Sequence, residues 1–178
     1  MTGWDDGLDY NATYLRIVRH LKLSLSSPRN YRKRVPAPCY DAILLIQLKN
    51  ASRISEAVRA FREYLRTQRA ELEVLVSKKR RKEYRKMVIP QEVQDMDMSL
   101  CLGLLDRPEE KVIDVAKHYA RKTYSFKTHS LRYARITHLL KQGVNPSIVA
   151  KITRHSKLDF ILRYTQEKAA DEILRSIE

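Results

Sequence analysis

A chain of 178 residues, 43% hydrophobic and 31% charged, is long enough for one ordinary core and too apolar to be a disordered chain. Its 35 Lys and Arg against 21 Asp and Glu give a formal charge of +14, so a polyanion is the expected partner. No apolar run reaches the length of a bilayer span, and MTGWDDGLDY has an acidic start without an apolar stretch. No membrane partner is therefore expected, and the expected location is intracellular, cytoplasmic. Cys39 and Cys101 have neither CxxC spacing nor a nearby His/Cys cluster. Two buried, reduced thiols are expected of them, with a disulfide only if the source is a hyperthermophile.

In chain order, DYNATYLRIVRHLKLSL (9–25) predicts a helix capped by Asn11. SSPRNYRKRVPAP follows as a basic, proline-punctuated linker. CYDAILLIQLK (39–49) is apolar enough for a fully buried helix. An amphipathic helix comes next, capped by Ser52, with Arg53 in its first turn and Ile54, Ala57, Val58, Phe61 and Leu65 on one face. The period then changes. ELEVLVSK alternates and RKMVIP is a short apolar strand ended by Pro90, so 71–90 predicts a β-hairpin with a strongly basic tip. Helices are expected over 92–102, 109–121, 129–142, 146–154 and 167–177, with Gly143 as a stop and Asn145-Pro146 as cap and first residue. The expectation is a mainly α chain with one small antiparallel β-hairpin (α+β). It divides into an N-terminal helix and basic linker over 1–35 and a domain over 36–178 ending in a tail helix at 167–178.

KKRRKEYRK (78–86) carries seven basic residues and one acid. At a hairpin tip, Lys79, Arg80, Arg81, Lys82, Arg85 and Lys86 could lie along DNA phosphates; otherwise the run is a solvated patch. Residues 131–154 would also pass as a helix-turn-helix, which would make the chain a DNA-binding regulator with the helix near 146–154 in the major groove.

Four places taken together say more. Arg53 stands in ASRISEA, Lys78 in VLVSKK, His129 and Arg132 in HSLR, and His155 and Tyr164 in RHSKLDFILRY. Arg132 follows His129 by three residues, and Tyr164 follows His155 by nine. This ordered set resembles the catalytic domain of the tyrosine recombinase (phage integrase) family, with archaeal viral and plasmid integrases the nearest in pattern. The resemblance runs over about residues 36–178 and implies that family's catalytic-domain fold. It implies an enzyme that breaks and rejoins DNA through a 3′-phosphotyrosine on Tyr164, a DNA strand transferase. A type IB topoisomerase-like protein shares that chemistry.

The resemblance gives each residue a role. Arg53 and Arg132 would hold the phosphate, His129 would assist proton transfer, His155 would hydrogen-bond the phosphate, and Lys78 would protonate the leaving 5′-oxygen. Guanidiniums suit the phosphate because they stay charged and bind oxygens in pairs. Glu56 is expected to orient Arg53 or pack on its helix. His20, His118 and His138 are expected to be surface or core imidazoles. No metal or cofactor is implied. The partners implied are double-stranded DNA at a specific recombination site and further copies of the chain, a tetramer in synapsis. In the tail, Ala169, Ala170, Ile173, Leu174 and Ile177 form an apolar stripe that a neighbouring subunit or the chain's own domain would cover.

Three departures stand out. Arg154 occupies the position before the second His where the family usually has Gly. The hairpin loop is longer than usual, which makes Lys79 a rival of Lys78. The family's N-terminal core-binding domain is missing, so the chain is expected to be a catalytic domain, a fragment of a longer integrase.

Overall fold

The computed structural model describes residues 6–26, 35–77 and 81–154. Within them the chain is mainly helical, with one two-stranded antiparallel sheet. The elements are α1 (Tyr10–Ser26), α2 (Ala37–Lys49), α3 (Ile54–Thr67), β1 (Glu71–Leu75), β2 (Tyr84–Val88), the short α4 (Gln91–Gln94), a 3₁₀ helix (Met98–Leu104), α5 (Glu109–Tyr124), α6 (Thr128–Lys141) and α7 (Pro146–Thr153). The predicted tail helix lies outside the described residues.

The core is organised around α2. Every residue from Pro38 to Leu48 is buried, as a helix apolar on all sides requires, and α1, α3, α5 and α6 pack round it. α1 and α5 each contribute one stripe. α1 buries Tyr10, Thr13, Ile17 and Leu21, and α5 buries Val112, Ala116, Ala120 and Tyr124. These residues recur at three- and four-residue steps, so each stripe faces one way. α1 thus shares the core with the helices that follow the linker. A smaller cluster of Ala51, Ile136, Leu139 and Val149 joins α6 to α7.

The hairpin pairs Glu71 with Val88 and Leu75 with Tyr84. Its alternation turns Leu72, Val74, Arg85 and Met87 inward, and leaves Glu71, Glu73, Tyr84, Lys86 and Val88 exposed.

The buried carboxylate of the core is bonded. Asp41 on α2 is fully buried; it accepts from Tyr119 (2.8 Å) and Tyr124 (2.6 Å), and His20 Nδ1 lies 2.8 Å away. Burial pushes the Asp41 carboxyl above the ordinary range, against the pull of these hydrogen bonds. His20 is thereby a partner that seats α1 on α2.

Local expectations fail where another side chain makes the better bond. Asp9, not Asn11, caps α1, its Oδ1 accepting the Ala12 N–H at 2.8 Å. Arg53 rather than Ser52 is the cap residue of α3, because Glu56 reaches back to the Arg53 N–H. The helix expected over 92–102 breaks in two, since Asp97 accepts the Ser99 N–H and starts the 3₁₀ turn. Asn145 caps α7 as expected, accepting from Ser147 N–H, and Gly143 takes the left-handed backbone (φ 78°) that ends α6.

Reduced thiols are the clearest correction: Cys39 and Cys101, both fully buried, form a disulfide that pins the start of α2 to the 3₁₀ helix across 62 residues of sequence. Closing a loop of that length removes much freedom from the unfolded chain, by about 4 kcal/mol. Cys101→Ala should therefore lower the unfolding free energy by about 2–5 kcal/mol in urea titrations without reductant. Equal midpoints for variant and wild type would mean the bond does not stabilise the fold.

Candidate functional site

Arg53 enters the site because of its place at the start of α3. Its backbone N–H donates to Glu56 Oε2 (3.2 Å), and its Nη1 donates to Glu56 Oε1 (3.1 Å) and to the Ser77 carbonyl (3.2 Å). Its side chain remains 25% exposed, so the guanidinium is fixed but still reachable. Glu56 itself is fully buried. Besides Arg53 it accepts the Ser77 N–H on Oε1 (3.1 Å) and Arg85 Nη1 on Oε2 (3.2 Å). Each carboxylate oxygen thus takes two donors. Burial would raise the Glu56 pKa, but the backbone donors Ser77 and Arg53 and the charge of Arg85 outweigh it and hold it below the ordinary value.

Arg132 comes from a different element, α6. It is 1% exposed, and its Nη2 donates to the Thr153 carbonyl at the end of α7 (2.7 Å). Burial, then the charges of Arg53 and Arg85, push its pKa down to about 10, with Glu56 pulling the other way. It stays charged at neutral pH. Arg53 and Arg132, far apart in sequence, therefore lie within reach of each other's charge, with Glu56 and Arg85 acting over the same range. His129 lies on α6 one turn before Arg132, where i and i+3 are neighbours; it is exposed and stands edge-on to Tyr133, ring centroids 5.0 Å apart.

The basic run divides by the strand period. Arg81, Lys82 and Lys86 are exposed. Arg85 is not on that surface: only 3% exposed, it points inward to Glu56 and to the Asn50 carbonyl. Burial lowers its pKa while Glu56 raises it. Its role in the free protein is to brace Glu56. Lys78, Lys79, Arg80, His155 and Tyr164 lie outside the described residues.

Two participants are not marked as such by the sequence. Ser77 connects the hairpin to α3 through its N–H, its carbonyl and its hydroxyl, the last 2.7 Å from Ser55 Oγ; nothing in the pattern marks it. Arg154 stands out in the sequence only as a departure from Gly. It adopts the left-handed region (φ 55°, ψ 39°), as a Gly would, and its side chain reaches Tyr84 and Glu83.

The geometry is that of a cluster of arginines, two of them braced by one buried carboxylate. The chain is 40% identical over 174 residues to the protein named "Putative integrase ORF241" of Acidianus two-tailed virus, covering 98% of this chain and 68% of that one. It is 29% identical over 206 residues to "Putative integrase V10" of Sputnik virophage, covering 96% and 88% of the two chains. An uncharacterized protein of Methanocaldococcus jannaschii is 28% identical over 197 residues, 98% of this chain and 88% of its own. No protein-family model and no solved structure matches the chain. The chain belongs to the integrase family of the Acidianus virus protein. Among its described residues, no helix is long and apolar enough to cross a membrane.

Removing the charge of Glu56 should expose the design. Glu56→Gln leaves buried Arg85 without its counter-ion and should cost about 3 kcal/mol near pH 7. Because Glu56 titrates below its ordinary value when folded, its contribution is present above the unfolded pKa of about 4.3 and disappears as pH falls through the folded pKa. The stability gap between wild type and Glu56→Gln should therefore narrow below about pH 4. Urea midpoints at several pH values measure it; a gap independent of pH would rule out an ionised Glu56.

Proposed function

We propose that the chain is a site-specific DNA recombinase that cleaves and rejoins strands through Tyr164. The observation that carries this reading is that Arg53, held by Glu56, and buried Arg132, held by the Thr153 carbonyl, lie within each other's electrostatic reach, with His129 one turn from Arg132 on α6. The integrase names of the relatives support DNA as the substrate. So does the formal charge of +14.

In the proposed step the Tyr164 phenol oxygen attacks the scissile phosphorus. The bond to the 5′-oxygen breaks, leaving a 3′-phosphotyrosyl link and a free 5′-hydroxyl. His129 assists removal of the phenol proton, and Lys78, with Lys79 as its rival, supplies the proton that the 5′-oxygen takes. Arg53 and Arg132 hold the non-bridging oxygens as their charge grows, and fixed donors that need no reorganisation are most effective there. His155 adds a hydrogen bond. Attack by the 5′-hydroxyl of another strand reverses the chemistry, and the phosphotyrosyl link keeps the bond energy without a cofactor. Double-stranded DNA at a recombination site is the partner, engaged by several copies of the chain, a tetramer in synapsis, inside the host cell. A helix-turn-helix regulator has weaker support, because α7 turns Ile148 and Ile152 outward and a regulator has no use for the arginine pair.

Tyr164→Phe should abolish covalent attachment to a nicked duplex carrying the recombination site while changing affinity by less than about threefold, since the phosphate contacts remain. Adducts formed by the Phe variant would rule out Tyr164 as the nucleophile.

The hairpin surface gives a separate expectation. Replacing Arg81, Lys82 and Lys86 together by Ala should reduce the slope of log affinity against log salt by roughly 2–3, at about 0.9 for each phosphate left unneutralised. Filter binding across a salt series reads it; an unchanged slope would leave the outer hairpin a solvated patch.

A further inference from the structure

The arginine cluster has two limbs. On one, Arg53 and Arg85 share Glu56; on the other, Arg132 holds the Thr153 carbonyl. The next residue, Arg154, joins them. Its N–H caps α7 on the Ala150 and Lys151 carbonyls, in a left-handed conformation (φ 55°, ψ 39°) that residues with a Cβ rarely adopt. Its side chain crosses to the hairpin: Nη2 donates to the Tyr84 carbonyl (3.2 Å), and Nη1 stands 3.2 Å from Glu83 Oε1. Tyr84 precedes Arg85, so the contacts form one continuous chain: Arg132 to Thr153, Arg154 to Tyr84, Arg85 to Glu56, Glu56 to Arg53.

Glycine would make the same turn without strain. What an arginine adds is the crossing. With side chains 39% and 33% exposed, the Arg154–Glu83 pair contributes little to folding. Its effect is on geometry.

We infer that Arg154 is a positioning residue: it clasps the start of β2 to the end of α7 and so sets the spacing between the Arg53 and Arg132 guanidiniums. The consequence for catalysis rests on the recombinase function proposed above; the clasp itself does not.

Arg154→Gly and Glu83→Gln test it in the full chain. Amide hydrogen exchange without DNA follows the clasp, and relaxation of supercoiled plasmid follows catalysis. Both variants should exchange faster at residues 84–86 and relax plasmid about tenfold more slowly at saturating DNA, as small misplacements of reacting groups do. Their DNA affinity should move less than about threefold, and their melting temperature by no more than about 2 °C. The charge-exchanged double variant, Glu83→Arg with Arg154→Glu, should recover part of both losses. Wild-type exchange and relaxation in Arg154→Gly would overturn the clasp. So would losses that merely track a fallen melting temperature and are not recovered in the exchanged pair. A wild-type chain that neither relaxes plasmid nor attaches to DNA would overturn the recombinase function instead, and the exchange rates would still decide the clasp.

Discussion

Glu56 is the constraint on which the site depends. A buried carboxylate is costly unless it is saturated with donors, and here four donors from three segments converge on it: the Arg53 N–H and guanidinium, the Ser77 N–H and Arg85. Those segments are the start of α3, the exit of β1 and the second residue of β2. One ionised group thus fixes how the hairpin sits on α3, and with it the direction in which Arg53 points. Arg132 approaches from α6 into a region already positive, and part of its electrostatic cost is offset by the same Glu56.

That arrangement asks for a rigid frame, which α2 supplies. Because α2 is buried along nearly its whole length, its neighbours must cover it, and covering it packs both α3 and α6 against one helix. The single carboxylate α2 carries, Asp41, is bonded by side chains from α1 and α5. The disulfide adds a further tie from the same helix to the 3₁₀ segment. Arg53 and Arg132 therefore rest on elements that share a core, the kind of pre-organisation the proposed recombinase would use.

The strand period explains why a run of like residues does not act as one surface. In Tyr84–Val88 the side chains alternate, so Lys86 faces solvent while Arg85, its neighbour, serves as an internal brace. Composition alone makes both of them candidates for DNA phosphates. Similarly, Arg154 is legible as an anomaly at a position where the tyrosine recombinases that the sequence resembles usually have Gly, but its crossing to Tyr84 and Glu83 requires the hairpin to be folded against the end of α7.

Periodicity and turn chemistry in the sequence were sufficient for the mainly helical class, the buried α2, the hairpin and the Asn145-Pro146 start of α7, because those features are decided by neighbours a few residues apart. The ordered motif likewise marks Arg53, His129 and Arg132 without any geometry. Caps were less legible: Asp9 displaced Asn11, and Glu56 made Arg53 rather than Ser52 the cap, since both choices turn on which side chain reaches a given N–H. Only tertiary structure could join Cys39 to Cys101, turn Arg85 inward, or bring Arg132 into the field of Arg53. Those outcomes depend on burial and on contacts between distant segments, and local pattern carries no record of either.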